Sequence, residues 1–300
     1  MDFHVKILGT NAALPTIDKI TSAQLVSINH HLYMIDCGEG AQVKMLQHGV
    51  KKNKIRVIFI SHLHGDHIFG FPGLLTSFLY SQRKESLKII GPPGIKEYID
   101  TVLRLSASYI LYDIIIEEIH DIEQPVYQDE NITVRAIPLH HRIQTFGYIF
   151  TEVTKYNILP EMIEKHKLTY QEITALKHGE TIRSGENTIT PQDHLVIRHQ
   201  ARSYAYCSDT VYDETLPERI KGVHTLYHEA TYLHELKTQA DERMHCTALD
   251  AARIARDASV EKLVLGHFST RYTDLIPLLE EAQKEFSNVI LANEGIEIEI

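Results

Sequence analysis

Three hundred residues, 43% hydrophobic and 23% charged, suffice for one large α/β domain or two small ones and exclude a disordered chain or a fibre. Thirty basic against forty acidic residues leave a net charge of −10, which argues against coating nucleic acid by bulk electrostatics but leaves room for a local basic track. No apolar run approaches the ~18 residues of a membrane span, the Met1-Asp2-Phe3-His4 start leads to the expectation of no secretory signal, and the three scattered cysteines Cys37, Cys207 and Cys246 make no disulfide framework. A cytoplasmic protein without a membrane partner is expected.

The predicted elements run as follows. His4 to Leu8 alternates in character and stops at Gly9-Thr10. Leu25–Ile28 and Leu32–Ile35, separated by Asn29-His30, read as antiparallel strands around a tight turn. A helix is expected over Ala41–His48. The basic run Lys51, Lys52, Lys54 and Arg56 follows, either a phosphate contact or a solvated turn, and leads into an apolar strand, Val57–Ile60. Helices over Leu74–Ser81 and Ile95–Leu103 flank a strand at Leu87–Ile90. Further strands are expected at Ile114–Ile116, Val134–Ile137 and Phe146–Thr151.

From about 155 to 200 the texture changes: Pro160, Pro191, Gly179 and Gly185 interrupt the apolar runs, and six basic residues balance six acidic ones. This stretch reads as an inserted arm or a peripheral helix pair on a single domain spanning 1–300. The strand rhythm then returns at Arg202–Cys207, His224–Tyr227, Val260–Leu265, Val289–Leu291 and Ile296–Ile300, with helices over Thr247–Ala258 and Asp274–Phe286. Strands and helices interleaved in this way argue for a layered α/β domain.

Nineteen histidines against no tryptophan direct attention to metal chemistry. His62-x-His64-x-Asp66-His67 places four donor groups in six residues directly after an apolar strand. A loop leaving a strand end can converge neighbouring side chains, and Gly65 is expected to supply an unusual backbone conformation for it. Imidazoles with carboxylates suit zinc, and manganese or iron would accept the same set. His141, Asp209 and His267 also sit just past apolar strands, so a sheet can bring them to the same end. Five histidines and two aspartates exceed the needs of one ion and suit two that share a carboxylate.

The loop resembles the signature of the metallo-β-lactamase superfamily, and the whole chain resembles its ribonuclease Z family more specifically. The resemblance rests on Gly9-Thr10-Asn11, Pro15-Thr16, Asp36-Cys37-Gly38-Glu39-Gly40, Ser61 to His67, Phe146-Gly147-Tyr148, Ser208-Asp209-Thr210, His228-Glu229-Ala230-Thr231, His245-Cys246-Thr247-Ala248 and Gly266-His267-Phe268-Ser269-Thr270-Arg271-Tyr272. It implies a four-layer αββα sandwich holding two zinc ions per subunit. His62, His64 and His141 would bind one ion, Asp66, His67 and His267 the other, and Asp209 would bridge. Asp66 would also orient or deprotonate the attacking water, and His245, supported by Glu229, would protonate the leaving oxygen. The implied partner is precursor tRNA, cut after the discriminator nucleotide to leave a tRNA 3′-hydroxyl and a trailer 5′-phosphate. A homodimer is implied, in which one subunit's arm holds the tRNA cut by the other.

Substrate contacts are expected from Lys19, Thr247, Ser269 and Arg271, and from Lys165, Lys167, Lys177 and Arg183 on the arm. The chain departs from the family pattern in three places. Cys246 replaces a serine, Asp18-Lys19-Ile20 stands where an arginine-asparagine pair is usual, and the arm has no Gly-Pro step. A β-lactamase or glyoxalase-like hydrolase, a phosphodiesterase for small or cyclic nucleotides, and a tRNA-binding metalloprotein without turnover are the alternatives. His48, His120, His166, His178, His194, His224 and His234 read as solvated or locally bonded, Cys37 and Cys207 as buried thiols. His140 is expected to turn away from the metals and His228 to line the site without ligating.

Overall fold

Strands that are apolar on both sides need cover on both sides, and that demand sets the layers of this molecule. The computed structural model describes residues 2–177, 179–184, 187–191 and 195–300; the expected turn at Gly185 and the histidines His178 and His194 lie outside them. The first half of the chain forms β1 (Phe3–Gly9), β2 (Ala23–Ile28), β3 (His31–Ile35), β4 (Ile55–Phe59), β5 (Leu87–Gly91) and β6 (Ile114–Glu118). Next come β7 (Tyr127–Gln128), β8 (Ile132–Leu139) and β9 (Thr145–Glu152), then four short strands, β10 (Lys155–Ile158), β11 (Ile182–Ser184), β12 (Asn187–Ile189) and β13 (Leu195–His199). The chain closes with β14 (Ser203–Cys207), β15 (Thr225–Glu229), β16 (Lys262–Gly266), β17 (Val289–Leu291) and β18 (Glu297–Glu299). The helices are α1 (Ala41–Gln47), α2 (Gly65–Ile68), α3 (Phe71–Tyr80), α4 (Ile95–Leu105), α5 (Pro160–His166), α6 (Tyr170–Lys177), α7 (Leu216–Arg219), α8 (Lys237–Glu242), α9 (Ala248–Asp257) and α10 (Ile276–Ala282).

Among the described residues the strands make two large sheets, ordered β18-β1-β2-β3-β4-β5-β6 and β17-β16-β15-β14-β9-β8-β7. Strand alternation distributes side chains between two cores. Tyr33, Ile35, Val57 and Phe59 point between the sheets and meet Val134, Tyr148, Phe150, Tyr204 and Tyr206. Their neighbours Met34, Ile58 and Ile60 point outward, against Met45 of α1, Phe71, Leu74 and Phe78 of α3, and Ile95 and Ile99 of α4. On the far side of the second sheet, Ile254 and Ala255 of α9 and Leu278 and Ala282 of α10 complete the fourth layer. The αββα sandwich is therefore as the resemblance implies.

Topology then sets where the reactive residues lie. β14, β15 and β16 run parallel, and β9, antiparallel to both β14 and β8, makes β8 run the same way. The C-terminal ends of β8, β14, β15 and β16 share one edge, which meets the end of β4 through the Phe146 N–H donating to the Ser61 carbonyl at 2.9 Å.

The expected hairpin around Asn29-His30 is present; both residues have positive φ, at 48° and 72°. α3 starts three residues earlier than expected because Pro72 serves its first turn. α10 is shorter than the predicted 274–286. The arm is richer than a helix pair. α5 and α6 pack with two small two-stranded sheets, β10-β13 and β11-β12, around a core of their own made by Ile158, Leu168, Leu176 and Ile189. Its two roots are tied together: Glu152, at the end of β9, accepts from the Arg202 backbone N–H and guanidinium and from His199 Nε2. No helix of the described residues is long and apolar enough to cross a membrane.

Candidate metal centre and active site

Four strand ends and one short helix deliver the donors. β4 leads into Ser61 and His62, and α2 carries Asp66 and His67; β8 is followed by His141, β14 by Asp209 and β16 by His267. The ligand atoms of His62, His64, His141 and Asp209 all lie within 4.8 Å of one another, as do those of Asp66, His67, Asp209 and His267. Asp209 belongs to both groups. Its Oδ2 faces His62 Nε2 and His141 Nε2, each at 3.7 Å, and its Oδ1 faces His67 Nε2 at 3.4 Å and His267 Nε2 at 3.2 Å. The structure thus brings together all seven residues that the sequence points to.

A further shell fixes which nitrogen of each ring faces inward. His62 Nδ1 bonds Ser61 Oγ at 3.0 Å, His67 Nδ1 donates to Asp36 Oδ2 at 2.8 Å, and His141 Nδ1 donates to the Met244 carbonyl at 2.9 Å. His267 Nδ1 meets Thr231 Oγ1 at 3.1 Å. With Nδ1 of His62 and His141 protonated, their inner nitrogens present bare lone pairs. His62 Nε2 lies 3.0 Å and His141 Nε2 3.3 Å from His64 Nδ1, and three lone pairs so close repel unless a cation lies among them. His67 Nε2 is buried and makes no hydrogen bond. This donor set fits divalent metal ions. Burial holds His62, His64 and His141 below the usual imidazole value, so they stay neutral, as ligands must. His67 goes the other way; burial opposes its charge, but Asp66, Asp209 and Asp36 outweigh it and raise its pKa.

Asp66 takes the Ala13 backbone N–H on Oδ2 at 2.8 Å, and the same oxygen lies 3.4 Å from His267 Nε2. Beside the donors, Glu229 Oε1 accepts from His245 Nδ1 at 2.9 Å, and Glu229 Oε2 accepts from Thr231 Oγ1 at 2.6 Å. Glu229 is fully buried. Burial alone would lower the His245 pKa, but the Glu229 carboxylate raises it to about 9. With Nδ1 occupied, the His245 proton that can be given away is on Nε2.

Sequence reasoning missed several members of the site. Asp36, inside a quoted motif but without a role, is fully buried and accepts from Ser61 N–H, Ser61 Oγ, His67 Nδ1 and Tyr206 Oη. Thr231, the Ala13 N–H and the cleft-lining Arg142 and Arg243 were also unassigned. The two arginines lie one and two residues from His141 and His245, a proximity that could have found them.

Gly65 does not adopt positive φ among the described residues. Its lack of a Cβ leaves room for the exposed Phe69 ring, which a Cβ there would have to displace. Gly70 answers the same need, because a Cβ would strike the Gly38 carbonyl, where residues 37 and 38 brace the metal loop.

The expected substrate contacts separate. Ser269 and Arg271 line the cleft. Thr247 does not: it is fully buried, and its hydroxyl caps α9 by accepting the Asp250 N–H. Lys19 closes the turn after Pro15 through its backbone, away from the cleft lining, and Lys165, Lys167, Lys177 and Arg183 are exposed on the arm. Cys246 is buried, so its thiol is not offered to a substrate, and Cys37 and Cys207 are buried as expected. In the Lys51–Arg56 run, Lys52 bonds Ser77 Oγ and Arg56 pairs with Glu130. His140 turns to Asp213 with its side chain half exposed; His228 joins none of the donor groups, as expected, but is buried and absent from the cleft lining, contrary to the expectation that it lines the site. His224 is locally bonded to Ser203 and His234 to Thr247.

The comparisons with known proteins agree on the whole length. Ribonuclease Z of Bacteroides fragilis (strain YCH46) is 40% identical over 298 residues, covering 98% of each chain. The chain belongs to the ribonuclease Z family. It also falls in the sequence family described as anti-Pycsar protein Apyc1, whose profile matches residues 3–288. The human short-form tRNase Z superposes with a TM-score of 0.70 at 25% identity over 98% of both chains. The metallo-β-lactamase fold protein YhfI of Bacillus subtilis, at 17% identity and a TM-score of 0.72 over the full length of both, shares the fold. This ribonuclease Z family member is a metal-dependent phosphodiester hydrolase.

Proposed function

We propose that this chain removes the 3′ trailer of precursor tRNA, hydrolysing the phosphodiester after the discriminator nucleotide to leave a tRNA 3′-hydroxyl and a trailer 5′-phosphate. The single observation that carries the reading is the Asp209 carboxylate, turned with one oxygen to each donor group beside the Glu229–His245 pair. His62, His64 and His141 would hold one zinc ion and Asp66, His67 and His267 a second, with Asp209 within reach of both groups. When bound, such ions would neutralise the phosphate and lower the pKa of a water. Asp66, anchored by the Ala13 N–H, keeps one oxygen to orient that water and take its proton. His245 gives its Nε2 proton to the departing 3′ oxygen, and Glu229 holds the ring for that donation. Arg142, Arg243 and Arg271 line the cleft as phosphate contacts. A cytoplasmic homodimer, with the arm of one subunit holding the tRNA cut by the other, completes the proposal.

A second reading has support of its own. The charge-balanced arm offers little electrostatic attraction for a large RNA, and the cleft, about 630 Å³, is of a size for a small ligand, which favours hydrolysis of small or cyclic nucleotides. One experiment separates the two: cleavage of a 3′-extended precursor tRNA by metal-loaded protein, with both product ends mapped, beside a metal-stripped sample and His245→Ala. A single cut after the discriminator, lost on stripping and slowed about 10²–10⁴-fold in the variant, supports the nuclease. Intact RNA with turnover of a small phosphodiester supports the second reading.

A further inference from the structure

Phe69 alone of the nine phenylalanines is exposed, at 65%, and it lines the cleft together with His64, Asp66 and His267. Water gains nothing from an apolar ring, so a ring left open inside a reaction cleft calls for a ligand surface to cover it. Its position is built. Phe69 caps the end of α2, its N–H donates to the Gly65 carbonyl at 2.8 Å, and one side of the ring rests on Gly65, where any Cβ would overlap three ring carbons. The ring thus lies on the metal loop and is largely open to solvent.

A second apolar group stands nearby in the same cleft. Leu14, 64% exposed, follows Ala13, whose N–H holds Asp66, and Asp66 is three residues before Phe69. Two exposed apolar side chains therefore line the same cleft as the Asp66 carboxylate. A phosphodiester substrate carries one kind of large, flat, apolar-faced group within a nucleotide's reach of its phosphate, the nucleobase.

We infer that Phe69 is a stacking platform for a nucleobase adjoining the scissile phosphate, with Leu14 at its border. This deepens the proposed tRNA reading and rests on it. Stacking uses the face that every base has, so it fixes the depth of the strand in the cleft without choosing among bases.

The test compares wild type, Phe69→Ala, Phe69→Leu and Phe69→Trp on a 3′-extended precursor tRNA. The same RNA is prepared with an abasic residue on the 5′ side of the cut and, separately, on the 3′ side. Phe69→Ala and Phe69→Leu are expected to lower kcat/KM on intact RNA by about 10-fold or more, and Phe69→Trp to restore it. On one of the abasic RNAs wild type should fall to the level of Phe69→Ala, and the substitution should cost nothing further. Metal content and melting temperature should match wild type. Activity of Phe69→Ala within about 2-fold of wild type on intact RNA, an equal loss on all three RNAs, or loss of metal from the variant would each overturn the inference while leaving the tRNA reading intact. Failure of wild type to cut the intact RNA would instead bring down the tRNA reading, and the platform with it.

Discussion

Four donors end on the Asp36 carboxylate, which is itself fully buried and absent from the cleft lining. Replacing it with asparagine turns one acceptor oxygen into a donor that faces Tyr206, Ser61 and His67, so His67 loses the partner that sets its tautomer. Asp36→Asn is expected to weaken metal binding about 10–100-fold, read by competition with a chelator, with little change in secondary structure by circular dichroism. At this scale the sequence was legible wherever a donor follows an apolar strand, as at His62, His141, Asp209 and His267. It was silent where the contribution comes from a backbone group, such as the Ala13 N–H or the Met244 carbonyl, because no side chain marks those positions. Gly65 shows a subtler failure. Its residue type was noticed, but the reason lay in a ring four positions along rather than in its own dihedrals.

Among the elements, the arm is tied at its base by Glu152, and that tie is sensitive to pH. Burial works against the Glu152 charge, but bonds from Arg202 and His199 prevail and hold the carboxyl below its ordinary value of 4.5. A carboxyl lowered in the folded state stabilises it above the ordinary value and loses that contribution as pH falls through the lowered one. Wild type should therefore keep its advantage in melting temperature over Glu152→Gln from pH 7 down to about pH 4.5 and lose it as the pH falls further, the two converging only below the lowered value. Differential scanning calorimetry across that range checks both halves. The central strands were legible because their alternation serves two cores. The arm was legible only as a change of texture: its strands have three to five residues, too few for a period to declare itself, and its core is four side chains. Thr247 misled for a related reason, since its place beside His245 suggested substrate contact while its hydroxyl was committed to starting α9.

For the molecule as a whole, the donors come from both sheets: His62 to His67 follow β4 of one, and His141, Asp209 and His267 follow strands of the other. In the proposed site an ion clasps the two sheets at one edge, and a ligand that binds only the folded state stabilises it by mass action, by about 2.7 kcal/mol at a hundredfold excess over Kd. Chelation is expected to lower the melting temperature by several degrees and to raise amide exchange at the ends of β4, β8 and β14 before that of the strand centres. Unchanged melting after verified metal removal would contradict it. The same arrangement bears on how the protein comes into being. Asp66 and His267, neighbours in the site, are 201 residues apart in the chain. A chain made only as far as residue 266 lacks one of the proposed metal donors, so a product terminated before that point, however well its first sheet folds, is expected to be inactive. In the proposed site, activity waits until β16 and the histidine after it have been made.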